Sequence, residues 1–198
     1  MIRRHLLRTA GALAATVLAA AGVLAATGTS ASAVRTVYYD ASRAGEFRTN
    51  FDQAAQIWNS NVSTVRLLPA TPGNITIYVD NGWPRAQTTS LGNGRVWMGW
   101  EAVNEGYNRT RIATHEIGHI LGLPDKRTGL CSDLMSGSSA PVSCANATPS
   151  AAEASRVNQL FAGSLAATTV TGKTYVWVGG EAAPSVVGGG TAGAHDAP

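Results

Sequence analysis

Histidine and cysteine are scarce in this 198-residue sequence, with four of the first and two of the second. Two cysteines exclude a disulfide-dense small scaffold and a zinc module built on four thiolates. Past the amino-terminal segment, no apolar run reaches the roughly 20 residues that a transmembrane helix needs. Charged residues make up only 14%, and the formal net charge of +3 does not amount to a basic surface. Arg3, Arg4 and Arg8 lie in the first 33 residues and no acid does, so the remainder holds twelve basic and twelve acidic residues and is formally neutral. Such a balance gives no electrostatic footprint for nucleic acid or an anionic membrane, and both are excluded as expected partners. No internal repeat is present.

What the sequence does carry begins with an export-type leader. The three arginines precede an Ala/Val/Leu run over about residues 11–26, and TGTSASA follows, with Ala31 and Ala33 at the small-residue positions of a cleavage site. We expect a signal peptide over residues 1–33 and a secreted product, with a retained anchor as the competing reading because the run is long. Residues 34–198 suffice for one compact core but hardly two. We divide them into a folded domain, 34–163, and an Ala/Gly-rich carboxy-terminal extension, 164–198. The extension is expected to be flexible, although the apolar patch TYVWV (174–178) leaves room for a docking strand. Cys131 and Cys144 stand 13 apart, and in an exported chain they are expected to form a disulfide. Closing that loop contributes about 3 kcal/mol in the chain-entropy description. Zinc ligation by the pair is the alternative, disfavoured by the lack of C-x-x-C spacing.

RTVYYD (35–40) reads as a short strand, and the stripe Phe47, Phe51, Ala54, Ala55, Trp58 predicts an amphipathic helix over 45–59. Three β-like runs follow: 63–69, 74–80 with strict alternation, and GRVWMGWEAV over 94–103. Turn-rich DNGWP and LGNG separate the last two. A helix is expected over 110–121, ended by Gly122 and Pro124. A last helix is expected to open at Pro149, where Ser150 and Glu153 have capping-box spacing.

The stretch HEIGHILGLPD (115–125) carries the chemistry. At about 100° per residue, Ala113, Ile117, Ile120 and Leu121 form one apolar stripe, and His115 and His119 fall on the opposite face. Imidazoles one turn apart can reach a single ion. HExxH alone is a weak signal. Here, however, the chain's only other histidines are His5 in the leader and His195 near the end of the tail. Two histidines placed together on one helix face suit a zinc ion. A catalytic site needs a third protein ligand, and no third histidine is available in the folded part. Asp125 is the nearest acid, brought back if Gly122 takes a left-handed conformation; Asp133 and His195 are the alternatives. Glu116 falls beside the histidine face and fits the role of general base rather than ligand.

HEIGHILGLPD fits HExxHxxGxxD, and CSDLMSG places Met135 ten residues after Asp125. This resembles the metzincin pattern, an extended zinc signature followed by a methionine-containing turn. With aspartate as third ligand in so small a domain, it resembles the snapalysin family of small neutral zinc metalloproteases secreted by soil bacteria. The resemblance covers about residues 35–163 and implies an α+β fold. That fold would be a twisted mixed sheet of about four to five strands, an active-site helix below it and a small carboxy-terminal helical part. It implies a monomeric zinc endopeptidase acting on extended polypeptides, favouring an aromatic residue just after the cleaved bond. Substrate would add as a strand to the 94–103 edge, and Met135 would sit in the turn. Two departures stand out. Where the family commonly has a tyrosine two residues after the ligand aspartate, this sequence has Arg127, which we expect to stabilise the oxyanion. Where the family has a calcium site just before the active-site helix, Asn108 replaces an aspartate and Thr110 lies nearby. A Ca2+ site there would be weakened, and capping of the helix is the favoured role. The reading from another class is a non-catalytic secreted binding protein with a structural zinc site.

Overall fold

The computed structural model describes residues 33–163 and 172–178. Among them a six-stranded sheet runs in the order β2-β1-β3-β5-β4-β6. β1 (Arg35–Asp40), β2 (Val65–Pro69), β3 (Ile75–Asp80) and β5 (Asn93–Gly99) are mutually parallel, as crossover connections require. β4 (Arg85–Ser90) pairs antiparallel with β5. Inward positions recur with period two: Val37 and Tyr39, Val65 and Leu67, Ile75 and Ile77, Val96 and Met98 are all buried.

α1 (Arg48–Asn61), entered through a 3-10 turn at Gly45–Phe47, buries the predicted stripe. It packs against β2 and α3 (Arg109–Ile120), and α3 in turn lies under β4 and β5. The Trp58 indole closes the joint between the two helices by donating to the Thr114 carbonyl at 2.9 Å. α4 (Ala151–Phe161) has the predicted capping box: Ser150 Oγ accepts from the Glu153 amide, and the Glu153 carboxylate accepts from the Ser150 amide. The described structure is thus a mixed α+β fold of the expected kind.

Two elements differ from expectation. The run 94–103 is not one strand, because it turns at Gly99 into a short helix, α2 (Trp100–Asn104). Trp100 there packs edge-on to Phe47 with ring centroids 4.9 Å apart. Nor is that run the sheet edge. β5 is hydrogen-bonded on both sides, and β4 stands outside it. β4 escapes the hydrophobic pattern because its sequence is RAQTTS, with only Ala86 and Thr88 fully buried. A strand that turns small residues inward gives no apolar alternation to read. In the described part of the extension, β6 (Thr174–Val176) pairs antiparallel with β4, the docking strand for which the TYVWV patch left room.

Candidate metal centre

Asn108 caps α3, its side chain accepting from the Arg111 amide at 2.9 Å. Every residue from Arg111 to Ile120 is buried. The histidine face is therefore not open to solvent; the turn at Leu134–Ser139 and β6 cover it. Beneath the helix, a Cβ on Gly118 would come within 2.8 Å of the Met135 sulfur and 3.2 Å of the Trp58 ring. The glycine lets Met135, itself buried, pack flush under the two histidines.

The backbone sets the imidazole tautomers. His115 Nδ1 faces the Leu134 carbonyl at 3.0 Å and His119 Nδ1 faces the Leu123 carbonyl at 2.8 Å. Each Nδ1 therefore carries the hydrogen and donates it, leaving both Nε2 lone pairs pointed at one spot. Those nitrogens lie 2.9 Å apart. Gly122, at φ 98, ends the helix in the left-handed region and donates to the His119 carbonyl at 2.9 Å. The returning chain places Asp125 Oδ1 3.4 Å from His115 Nε2 and 3.6 Å from His119 Nε2.

The donor set fits a metal ion. Ligand arms of about 2.0–2.1 Å in a tetrahedron separate donor atoms by roughly 3.3 Å, close to the spacing seen. Asp125 Oδ1 is buried with no hydrogen-bond partner among the described residues, and the two lone pairs face each other with no hydrogen between them. A cation would satisfy all three. Among the described residues, His115, His119 and Asp125 are the cluster of histidine, cysteine and acid side chains so arranged. Asp133 lies elsewhere, accepting from Thr128 Oγ1 at 2.8 Å, and His195 is outside the described residues.

Burial, and then the neighbouring His115, push the His119 imidazole down to about 3, so the ring is neutral at ordinary pH. Burial raises the Asp125 carboxyl, but the imidazoles and Arg127 outweigh it and hold that group at about 2. Glu116 is fully buried, and neither carboxylate oxygen has a hydrogen-bond partner among the described residues. Desolvation first and the Asp125 charge second raise it well above the ordinary carboxylate range, against the pull of Arg85 and Arg127.

Arg127 adopts a positive φ of 32, unusual for a residue with a side chain. Its guanidinium donates to Ser138 Oγ at 2.8 Å and to the Val176 carbonyl at 3.2 Å, and lies 3.5 Å from Asp125 Oδ2. The calcium expectation gains no support. Asn108 Oδ1 is engaged in the cap, and Thr110 Oγ1 donates to Gln53 while accepting from Asn50.

Cys131 and Cys144 form a disulfide. The buried Arg111 guanidinium donates to the carbonyls of Cys131, Asp133 and Asn146 and ties that loop to α3. Glu153 does the same from the other side, accepting from the amides of Leu134 at 3.2 Å and Met135 at 2.8 Å. Its capping-box spacing was legible in the sequence, but its grip on the methionine turn was not. Gly137, at φ 58, completes the turn directly against the His115 ring, where a Cβ would stand 3.0 Å from Cε1. Nor does the sequence show which aromatic rings pack on the two histidines. Tyr175 stacks on His119 with centroids 4.1 Å apart, and Trp177 meets both His115 (4.7 Å) and Tyr107 (5.5 Å) edge-on.

Residues 33–164 match the Streptomyces extracellular neutral proteinase (M7) family. The extracellular small neutral protease of Streptomyces lividans is 45% identical over 136 residues, 67% of this chain and 60% of that protein. That of Streptomyces coelicolor is 47% identical over 134 residues, 66% of this chain and 61% of that protein. That of Streptomyces caespitosus is 43% identical over 129 residues, 64% of this chain and 97% of that protein. The chain thus spans about 60% of the length of the first two relatives and nearly the whole of the third.

Proposed function

The chain belongs to the Streptomyces extracellular neutral proteinase (M7) family, and from that premise we propose that it is a secreted zinc-dependent endopeptidase acting, as a monomer, on extended polypeptides. The observation that carries the reading is the buried cluster of two imidazoles and one carboxylate around a common point, beside the Glu116 carboxyl, which has no hydrogen-bond partner among the described residues. His115, His119 and Asp125 hold the ion. When bound, zinc supplies Lewis acidity that lowers the pKa of water toward neutrality and polarises the substrate carbonyl.

Glu116 does the proton work. Its carboxylate, whose pKa burial raises well above the ordinary carboxylate range, accepts the proton of the attacking water at one Oε and delivers it to the leaving amide nitrogen. Arg127, fixed by Ser138 and beside Asp125, offers its guanidinium to the oxygen that becomes negative. Met135 and Gly118 hold the helix so that the two Nε2 atoms converge. Substrate is taken as an added strand on β4, and the space between Tyr107 and His115, which the Trp177 ring occupies, favours an aromatic residue just after the cleaved bond. The alternative, a binding protein with a closed structural zinc, needs a fourth ligand, and the described cluster offers three.

The test is cleavage of an unfolded protein by the full chain and by a chain ended at Gly163, each beside its Glu116→Gln variant at matched zinc content. We expect the variant to lose about 10²- to 10⁴-fold in rate. Equal rates would remove Glu116 from the mechanism. Full zinc occupancy without hydrolysis in either chain would favour the binding protein.

A further inference from the structure

β4 is where an extended peptide would add to this sheet, and in this chain the place is taken. β6 lies along it with Arg85 opposite Val176, Ala86 opposite Tyr175 and Gln87 opposite Thr174. The pairing continues on both sides of the strand. The Thr88 amide donates to the Lys173 carbonyl at 2.8 Å, the Gly172 amide to the Thr88 carbonyl at 2.9 Å, and the Trp177 amide to the Pro84 carbonyl at 2.8 Å. Side chains at alternate positions of a strand share a face, and here Tyr175 and Trp177 both face the metal-binding histidines. Trp177 is 1% exposed, seated between His115 and Tyr107. Two groups of the cleft close on the backbone, Arg127 on the Val176 carbonyl and Ser138 on that of Val178.

From this we propose that residues 172–178 are a tethered competitor, filling the peptide-binding edge and the pocket beside His115 so that the full chain is latent until the segment is displaced or removed. The proposal rests on the reading of the cleft as a peptide site. The segment lies beyond residue 164, where the family match ends, and the Streptomyces caespitosus relative is 97% accounted for by its matched region. A ligand carried on the same chain acts at an effective concentration on the order of millimolar, so even a weak segment competes with free peptide. The latch is also built to open. Its regular strand is only three residues long, and the buried Trp177 Nε1 has no hydrogen-bond partner among the described residues, a cost that displacement relieves.

The experiment uses zinc-loaded full chain carrying Glu116→Gln, so that binding is read without turnover. The probe is a fluorescein-labelled peptide of the segment's own sequence, GKTYVWV. With Tyr175→Ala and Trp177→Ala added, the probe is expected to bind at least tenfold more tightly than to the chain with its native segment. A chain ended at Gly163 should behave as the double variant does, which guards against a folding defect in either. Equal affinity in all three overturns the proposal, as does rapid hydrogen exchange of the Thr88 and Trp177 amides in the native chain. Hydrolysis by the corresponding Glu116-bearing chains separates the two claims. Equal cleavage with and without the segment overturns latency and leaves the protease reading intact. A tenfold difference in probe binding with no cleavage by any chain upholds the tethered occupant and removes the protease reading.

Discussion

At the scale of the residue, the histidines, Asp125 and Glu116 are legible in the sequence because their types are rare and their spacing follows the helix. Their neighbours are not. The carbonyls of Leu134 and Leu123 that set the tautomers are backbone, and backbone partners have no letter of their own. Gly118 belongs to the same hidden layer, since its meaning lies in the Met135 sulfur and the Trp58 ring standing where a Cβ would go. Gly118→Ala should improve intrinsic helix propensity and still destabilise the protein by about 1–3 kcal/mol, because overpacking a filled core outweighs propensity. Urea denaturation measures the loss. Zinc titration should show weaker binding as well, since the helix must lift from Met135 and carry both imidazoles with it. An alanine variant as stable and as tight as the native chain would mean that the methionine turn is free to give way.

At the scale of the element, the sequence fared well wherever one face of an element is apolar, as in α1, β3 and α4, and failed at β4. β4 is held by what flanks it. Asp80 at the end of β3 is bonded to Arg85 at its start, at 2.5 Å, and Arg85 lies over the Trp97 ring at 4.5 Å. The Arg85 bond, against partial burial, draws the Asp80 carboxyl below its ordinary value. A carboxyl depressed in the folded state stabilises above its unfolded pKa, and that contribution is lost as pH falls through the lower folded value. Asp80→Asn should therefore cost about 1 kcal/mol or less at pH 7, given the exposure of the pair. The difference from the native chain should vanish in acid below the ordinary carboxylate range, as thermal melts across pH can show. Arg111 is the stronger fastening, a buried cation shared among the carbonyls of the disulfide loop. Arg111→Met should cost about 3 kcal/mol, since it leaves several buried acceptors without donors, and the methionine turn should exchange amide hydrogens faster. Neither consequence shows in the sequence, where Arg111 reads as one more charge on a helix.

At the scale of the whole molecule, three separate pieces of chain are drawn to one point: the end of α3, the Gly122 turn carrying Asp125, and the turn of Met135 beneath them. Burying there a carboxyl that has no hydrogen-bond partner among the described residues opposes folding. The site is thus a local deficit in the metal-free protein, and the ion should be linked to the stability of all three pieces at once. Ligand that binds only the folded state adds about 4 kcal/mol at a thousandfold excess over its Kd. For a domain of this size that corresponds to a shift of roughly 10 °C in Tm. A chelator should therefore lower the melting temperature by about that amount, and zinc should restore it. The shift should be nearly absent in His119→Ala, whose metal-free melt lies close to that of the chelated native chain. It should survive in Glu116→Gln, which keeps His115, His119 and Asp125. A chelator effect equal in the His119→Ala and native chains would place the stabilising ion elsewhere in the molecule and uncouple the cluster from the stability of the fold.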